Sequence, residues 1–314
     1  MTPRDISETL QAALARQGYK SAIVSAEHVA ELRETIRKKR AARLIDSAAS
    51  RQYAGYLDKM LTQDVPWARS IVVVAVPRPL LEVTVTVDGR RHPVVIPPTY
   101  EHSIDETVTA AIKTALSPHD LQACRATLPL KLLATQSGLA RYGKNNITYV
   151  EGMGSFHRLL AFYTDLPTVN ETWQDPQELD ECNGCKACTN KCPTGAIDPD
   201  QFQLRVERCL TFHNESPEPF PQWMDSSWHH CLVGCMRCQH YCPVNKEVRT
   251  WTERFAELTG QETALLLRGA TNDELPPSLI AKFNSTGLLE DVVGLSRNLR
   301  SVIAAAEQHD QVCS

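Results

Sequence analysis

The sequence has no run of about eighteen uninterrupted apolar residues, so no membrane-spanning helix is expected. Its first twenty residues, MTPRDISETLQAALARQGYK, lack a continuous apolar stretch and carry acids early, so no secretory signal peptide is expected either. Excess basic charge is also missing. The formal net charge is −4 at pH 7 and no region stands out as strongly basic. Sequence-independent binding to nucleic acid depends on Lys and Arg neutralising phosphates, so this balance argues against nucleic acid as a partner. No G-x-G-x-x-G follows a strand, and Gly152-x-Gly154 is too short to stand for one, so no dinucleotide site of the Rossmann type is expected. These absences leave a cytoplasmic protein without a membrane partner as the expectation.

What is abundant is cysteine. The 314 residues, 42 % of them hydrophobic, suffice for one large domain or two, and they carry eleven cysteines, nine of which fall between 182 and 242. A secreted miniprotein would use such a set for disulfides. In a cytoplasmic chain of this length it points to metal. The first group, CNGCKACTNKCP, places Cys182, Cys185, Cys188, Cys192 and Pro193 in the C-x2-C-x2-C-x3-C-P run of bacterial ferredoxins. The two-residue spacings wrap the chain around one corner of a 4Fe–4S cubane, and the longer step aims the fourth sulfur at a second cluster. The proline keeps the backbone from continuing the turn. The second group, CMRCQHYCP, supplies Cys235, Cys238 and Cys242 and is one ligand short.

Cys209 is the natural eighth ligand, with Cys231 its competitor. The crossing rule then assigns Cys182, Cys185, Cys188 and Cys242 to one cluster and Cys192, Cys209, Cys235 and Cys238 to the other. Structural zinc is the competing use of such cysteines, but zinc ribbons use paired C-x2-C knuckles rather than this triple run. Cys124 and Cys313 read as plain thiols. Trp228-His229-His230-Cys231 reads either as a surface loop or as a source of hydrogen bonds that tune a nearby cluster.

Along the chain, SIVVVAVP (70–77) reads as a buried central strand. The following VTVTVDGRRHPVVIPP is a hairpin turning at Asp88-Gly89. Residues 26–46 form a charged helix whose run from Arg37 to Arg43 reads as a solvated face. The whole is expected to be α+β: a mixed α/β reductase domain over 1–175, a bacterial ferredoxin-like double 4Fe–4S module over 176–250, and a helical C-terminal segment over 251–314.

The segment SGLARYGKNNITYVEGMGSF (137–156), followed by the cysteine module, resembles the epoxyqueuosine reductases and, more distantly, the reductive dehalogenases. The motif residues are Gly138, Leu139, Gly143, Lys144, Asn145 and Gly154-Ser155. The strand PWARSIVVVAVP (66–77) is similar as well, and the family's four-one-three cysteine pattern matches Cys182–Cys192, Cys209 and Cys235–Cys242. The resemblance implies a base-off cobalamin reduced through the clusters. Gly138, Arg141, Gly143, Lys144 and Asn145 are then the cofactor-binding candidates, and Tyr142 is the candidate proton donor. A bland alternative for this loop is a turn that needs glycine for positive φ.

Three departures suggest a paralogue. The stretch CRATLPLKLLA (124–134), where relatives carry an acidic proton donor, has no Asp or Glu, only about seventy residues follow Cys242, and the aromatic of the glycine motif has changed context to Arg141-Tyr142. The expected activity is therefore reduction of a small molecule, fed by an external low-potential donor of ferredoxin or flavodoxin type. A non-enzymatic electron carrier and an epoxyqueuosine reductase-like tRNA modification enzyme are the alternatives.

Overall fold

The computed structural model describes residues 1–42 and 51–313, without the side chains of residues 290, 291, 293 and 308–313. The last part of the expected helix over 26–46, with Arg43, and the thiol of Cys313 lie outside the described residues. The chain forms two compact units. One comprises residues 1–78 and 104–185, the other residues 79–103 and 186–314. Composition suggested boundaries at 175 and 250; packing divides the chain differently, because the hairpin before residue 104 shares a core with the C-terminal helices.

The first unit is built on an antiparallel sheet of β1 (Lys20–Ser25), β2 (Ser70–Pro77), β8 (His157–Thr164) and β5 (Ala123–Arg125), in the order β1-β2-β8-β5. Helix α1 (Pro3–Arg16) opens with a reciprocal cap between Thr2 and Asp5 and a proline in its first turn. Helices α2 (His28–Ala41), α3 (Ala54–Thr62), α4 (Ile104–Leu116) and α5 (Leu130–Gln136) complete the frame. Ile71, Val73 and Ala75 of β2 pack with Leu32, Leu128 and Leu132 on one face. Val72, Val74 and Val76 pack with Leu10, Leu14 and Ile112 on the other. Apolar cover on both faces is why β2 reads as an unbroken hydrophobic run, although the sheet is antiparallel. Each of these fully buried valines contributes roughly 1.5–3 kcal/mol relative to exposure. The strand pair β6 (Arg141–Tyr142) and β7 (Thr148–Tyr149) brackets the glycine loop.

In the second unit β3 (Leu80–Val87) and β4 (Arg90–Ile96) form the expected hairpin. Asp88 and Gly89 at its tip both have positive φ, 48° and 76°, as a type I′ turn requires. Strand β9 (Thr252–Glu257) adds to β3 in parallel, giving the order β4-β3-β9. The segment 251–314 is helical as expected apart from this strand at its start. TERFAE has no apolar alternation because β9 is an edge strand with three exposed leading residues, held mainly through its backbone. After it come helices α9 (Gly260–Arg268), α10 (Pro277–Phe283) and α11 (Val292–Cys313). Leu81, Val83 and Ile96 of the hairpin share their core with Leu266, Phe283 and Leu299. Three short helices, α6 (Ala187–Lys191), α7 (Leu210–Asn214) and α8 (Arg237–His240), lie in the cysteine-rich segment.

Candidate functional site

In the first unit the glycine loop is bound to the chain that delivers the first cysteine. Residues 177–179 pair beside Tyr142: the Tyr142 N–H donates to the Gln177 carbonyl and the Leu179 N–H to the Tyr142 carbonyl, each at 2.8 Å. Arg141 forms an ion pair with Asp180 at 2.8 Å. Both partners are exposed, so the pair itself adds at most about 1 kcal/mol, but it fixes register. The consequence is a contact between the Lys144 N–H and the Cys182 sulfur at 3.4 Å. An N–H donated to a thiolate stabilises its negative charge. The loop is thus shaped to present a donor to the first residue of the cysteine run.

Two features set the loop's shape. A side chain at Gly143 would meet the Tyr149 ring at 2.5 Å and Asn145 Oδ1 at 2.7 Å. Positive φ occurs instead at Asn146 (60°), whose carbonyl and side-chain oxygens both accept from Lys131 Nζ. Glycine at 143 therefore answers close approach, not the positive φ of the alternative reading. Asn145 is buried and its Nδ2 donates to the Tyr149 hydroxyl at 2.9 Å, while its side-chain Oδ1 accepts the Ile147 N–H. Its amide builds the turn. Burial pushes the Tyr142 phenol up to about 12, against a small opposing effect of Thr135. A phenol so raised is a weaker acid than an ordinary tyrosine, which weakens its case as proton donor. The acid-free stretch 124–134 runs through β5 and most of α5; its Leu128 and Leu133 are fully buried, and Lys131 anchors the loop.

In the second unit the structure gathers the thiols of Cys192, Cys209, Cys235 and Cys238. Each of the last three is raised by burial first; Cys192 adds to the effect at Cys209, Cys209 and Cys192 at Cys235, and Cys235, Cys209, Cys188 and Cys192 at Cys238. Cys235 reaches about 12. Cys209 caps the start of α7, and the N–H groups of Thr211 and Phe212 pull its thiol back down. Buried thiols clustered this way favour the protonated form until a cation supplies opposing charge, and the soft donor set suits iron–sulfur ligation. Among the described residues no three ligating side chains converge on a single-ion position. Cys231, the competitor of Cys209, is fully buried and acted on only by Cys235 among the thiols. Cys182 and Cys185 belong to the first unit, Cys188 and Cys242 to the second.

A 4Fe–4S double cluster binding domain matches residues 181–245. The epoxyqueuosine reductase of Cyclobacterium marinum is 31 % identical over 114 residues, 36 % of each chain. That of Leadbetterella byssophila is 32 % identical over 127 residues, 40 % of each. A tetrachloroethene reductive dehalogenase of Desulfitobacterium hafniense is 29 % identical over 134 residues, 41 % of this chain and 24 % of that one. The chain is epoxyqueuosine reductase-like and reductive dehalogenase-like. The matched segment spans between 24 % and 40 % of these curated relatives' length, so their whole-protein activities do not transfer with it.

The fold reaches further. The solved epoxyqueuosine reductase of Bacillus subtilis superposes over 97 % of this chain and 82 % of its own, at TM-score 0.69 and 20 % identity. Another structure of that fold, matching at TM-score 0.67 and 19 % identity, is an epoxyqueuosine reductase with an epoxyqueuosine-modified tRNA-Tyr stem loop. This overturns the expectation that nucleic acid is no partner for proteins of this kind. Net charge averages the whole chain and hides local basic faces such as Lys38, Lys39 and Arg40, where α2 ends. No described helix is long and apolar enough to cross a membrane.

Proposed function

We propose that the chain is an iron–sulfur reductase acting on a modified base carried by tRNA, which replaces small-molecule reduction as the leading reading. The observation that carries it is the pairing of a double-cluster domain at 181–245 with a fold shared by epoxyqueuosine reductases over 97 % of the chain. Reducing an epoxide to an alkene consumes two electrons and two protons and releases water. Two 4Fe–4S clusters, each passing one electron at a time, match that demand. The proposed ligands are the eight cysteines named from the spacing, with Cys209 rather than Cys231 as the eighth. Within this reading the loop over 138–146 is a positioning element: Lys144 donates its N–H to Cys182, and Arg141 and Tyr142 hold the segment that carries it. The proposed compartment is the cytoplasm.

Cobalamin, the acceptor implied by resemblance, finds a poor cradle in the five residues assigned to it. Gly138 lines a cavity of about 540 Å3 together with Ser137, Leu139 and Glu151. Arg141 is engaged with Asp180, Asn145 with Tyr149, the Lys144 N–H with Cys182, and Gly143 is packed against Tyr149. These residues do not fit the group as assigned.

The test supplies anaerobically reconstituted full-length chain with dithionite and an epoxyqueuosine-containing tRNA stem loop. Nucleoside mass spectrometry is expected to find loss of one oxygen. Intact, reducible clusters without conversion would reject the reading and favour an electron carrier.

A further inference from the structure

We propose that His230 is a positioning residue for the cluster held at Cys235 and Cys238: it takes up the Met236 N–H and so withholds from the cluster a hydrogen bond that would raise its potential. Met236 lies between those two cysteines and is 3 % exposed, so its N–H needs a partner within the protein. That partner is His230 Nε2, at 3.1 Å. A main-chain N–H can only donate, so Nε2 accepts and the ring proton sits on Nδ1, where the Trp228 carbonyl receives it at 3.2 Å. These two contacts fix the ring as neutral, in one tautomer and one orientation.

The segment that carries His230 is fastened to the same C-x2-C turn. The Arg237 side chain donates from Nε to the Trp228 carbonyl and from Nη2 to the Ser227 carbonyl, each at 3.2 Å. The Asp225 carboxylate accepts the Ser227 N–H at 2.8 Å and caps the short turn that leads to Trp228. Cys231, the next residue after His230, faces the Met236 N–H as well. Burial and then Cys235 raise its thiol, and the Met236 N–H draws it back down. A cysteine outside the proposed ligand set thus helps to occupy this amide.

The adjacent amide serves the opposite purpose. The Arg237 N–H donates to the Cys235 sulfur and lowers its pKa against the larger effect of burial. N–H groups donated to sulfur stabilise the reduced, more negative cluster, and proteins set iron–sulfur potentials partly in this way. Neighbouring amides of one turn are therefore divided, Arg237's to a ligand and Met236's to an imidazole. The segment over 228–231, a source of hydrogen bonds on one reading of the sequence, is here a sink for one. The cluster is kept at lower potential and is the stronger reductant for it. The inference rests on the ligand set proposed above and not on the tRNA reading.

The test is an EPR-monitored redox titration of the reconstituted full chain as wild type, His230→Leu and His230→Gln, with iron counted in each. Leucine cannot accept a hydrogen bond, whereas glutamine offers an amide oxygen where Nε2 stood. His230→Leu is expected to shift the midpoint potential of one cluster upward at unchanged iron content, and His230→Gln to stay near wild type. An unshifted potential in His230→Leu at full iron would overturn the inference, as would an equal shift in both variants, which marks a packing effect alone. If the leucine variant fails to fold, the wild type decides. With isotopically labelled methionine, pulsed EPR of its reduced clusters is expected to show no hydrogen-bonded methionine nitrogen, and the presence of that signal would overturn the inference. Wild-type chain that loads less iron than two clusters hold would fault the ligand set instead.

Discussion

Replacing Gly143 by alanine tests the loop geometry most sharply. The backbone there does not have positive φ, so alanine brings no dihedral strain and its whole effect is collision. The new methyl would lie 2.5 Å from Tyr149 Cε2 and 2.7 Å from Asn145 Oδ1. Neither neighbour can swing aside freely, because both are buried and hydrogen-bonded to each other. Overpacking of this kind costs about 1–3 kcal/mol. Loss of the Asn145–Tyr149 bond would add about 1 kcal/mol. A total of roughly 2–4 kcal/mol is expected, measured as a lowered urea midpoint at unchanged slope. The same displacement carries the Lys144 N–H away from Cys182, so the signal of one cluster is expected to change in EPR. Gly152→Ala is the control: its φ is +74° and its added methyl meets nothing within 4 Å, so only the left-handed penalty of about 1–2 kcal/mol applies. A Gly143→Ala protein as stable as wild type, with unaltered cluster spectra, would refute the loop's positioning role.

Other consequences follow from the same geometry. Cys209→Ser is expected to remove about half the bound iron, whereas Cys231→Ser keeps it, because Cys209 is the thiol placed among Cys192, Cys235 and Cys238; a colorimetric iron assay of both variants decides between them. His157 is buried between the Thr148 hydroxyl and the Gly154 carbonyl, each at 3.1 Å, and burial lowers its pKa to about 4. The unfolded chain, with an ordinary value near 6.5, binds more protons between those limits. His157 thus costs nothing above about pH 6.5, and the stability it forfeits grows to about 3 kcal/mol as pH falls toward 4. Unfolding of His157→Asn at several pH values is expected to lack this part of the acid loss; an identical pH slope in both proteins would contradict it.

Legibility tracked locality. The strand over 70–77, the hairpin turning at Asp88-Gly89 and the cysteine run are each written in adjacent residues, and the double-cluster match covers the same segment. The charged strand β9 was not legible, because its partner β3 lies some 170 residues upstream and main-chain pairing leaves no side-chain pattern. Nor could spacing show that Gly143 is needed for room rather than for φ, or that Asn145 faces Tyr149. Spacing left Cys209 and Cys231 as rivals; the structure sets Cys209 beside Cys192, Cys235 and Cys238, which supports the proposal that it is the eighth ligand. The partner class was misread because a chain-wide charge sum says nothing about local faces.

The central claim, two 4Fe–4S clusters bound through this cysteine set, is met most directly by metal analysis and EPR of anaerobically purified chain. The account predicts about eight irons per chain, four for each of two clusters, and reduced-state signals from a coupled pair. Zinc in place of iron, or about four irons with a single uncoupled signal, would contradict it.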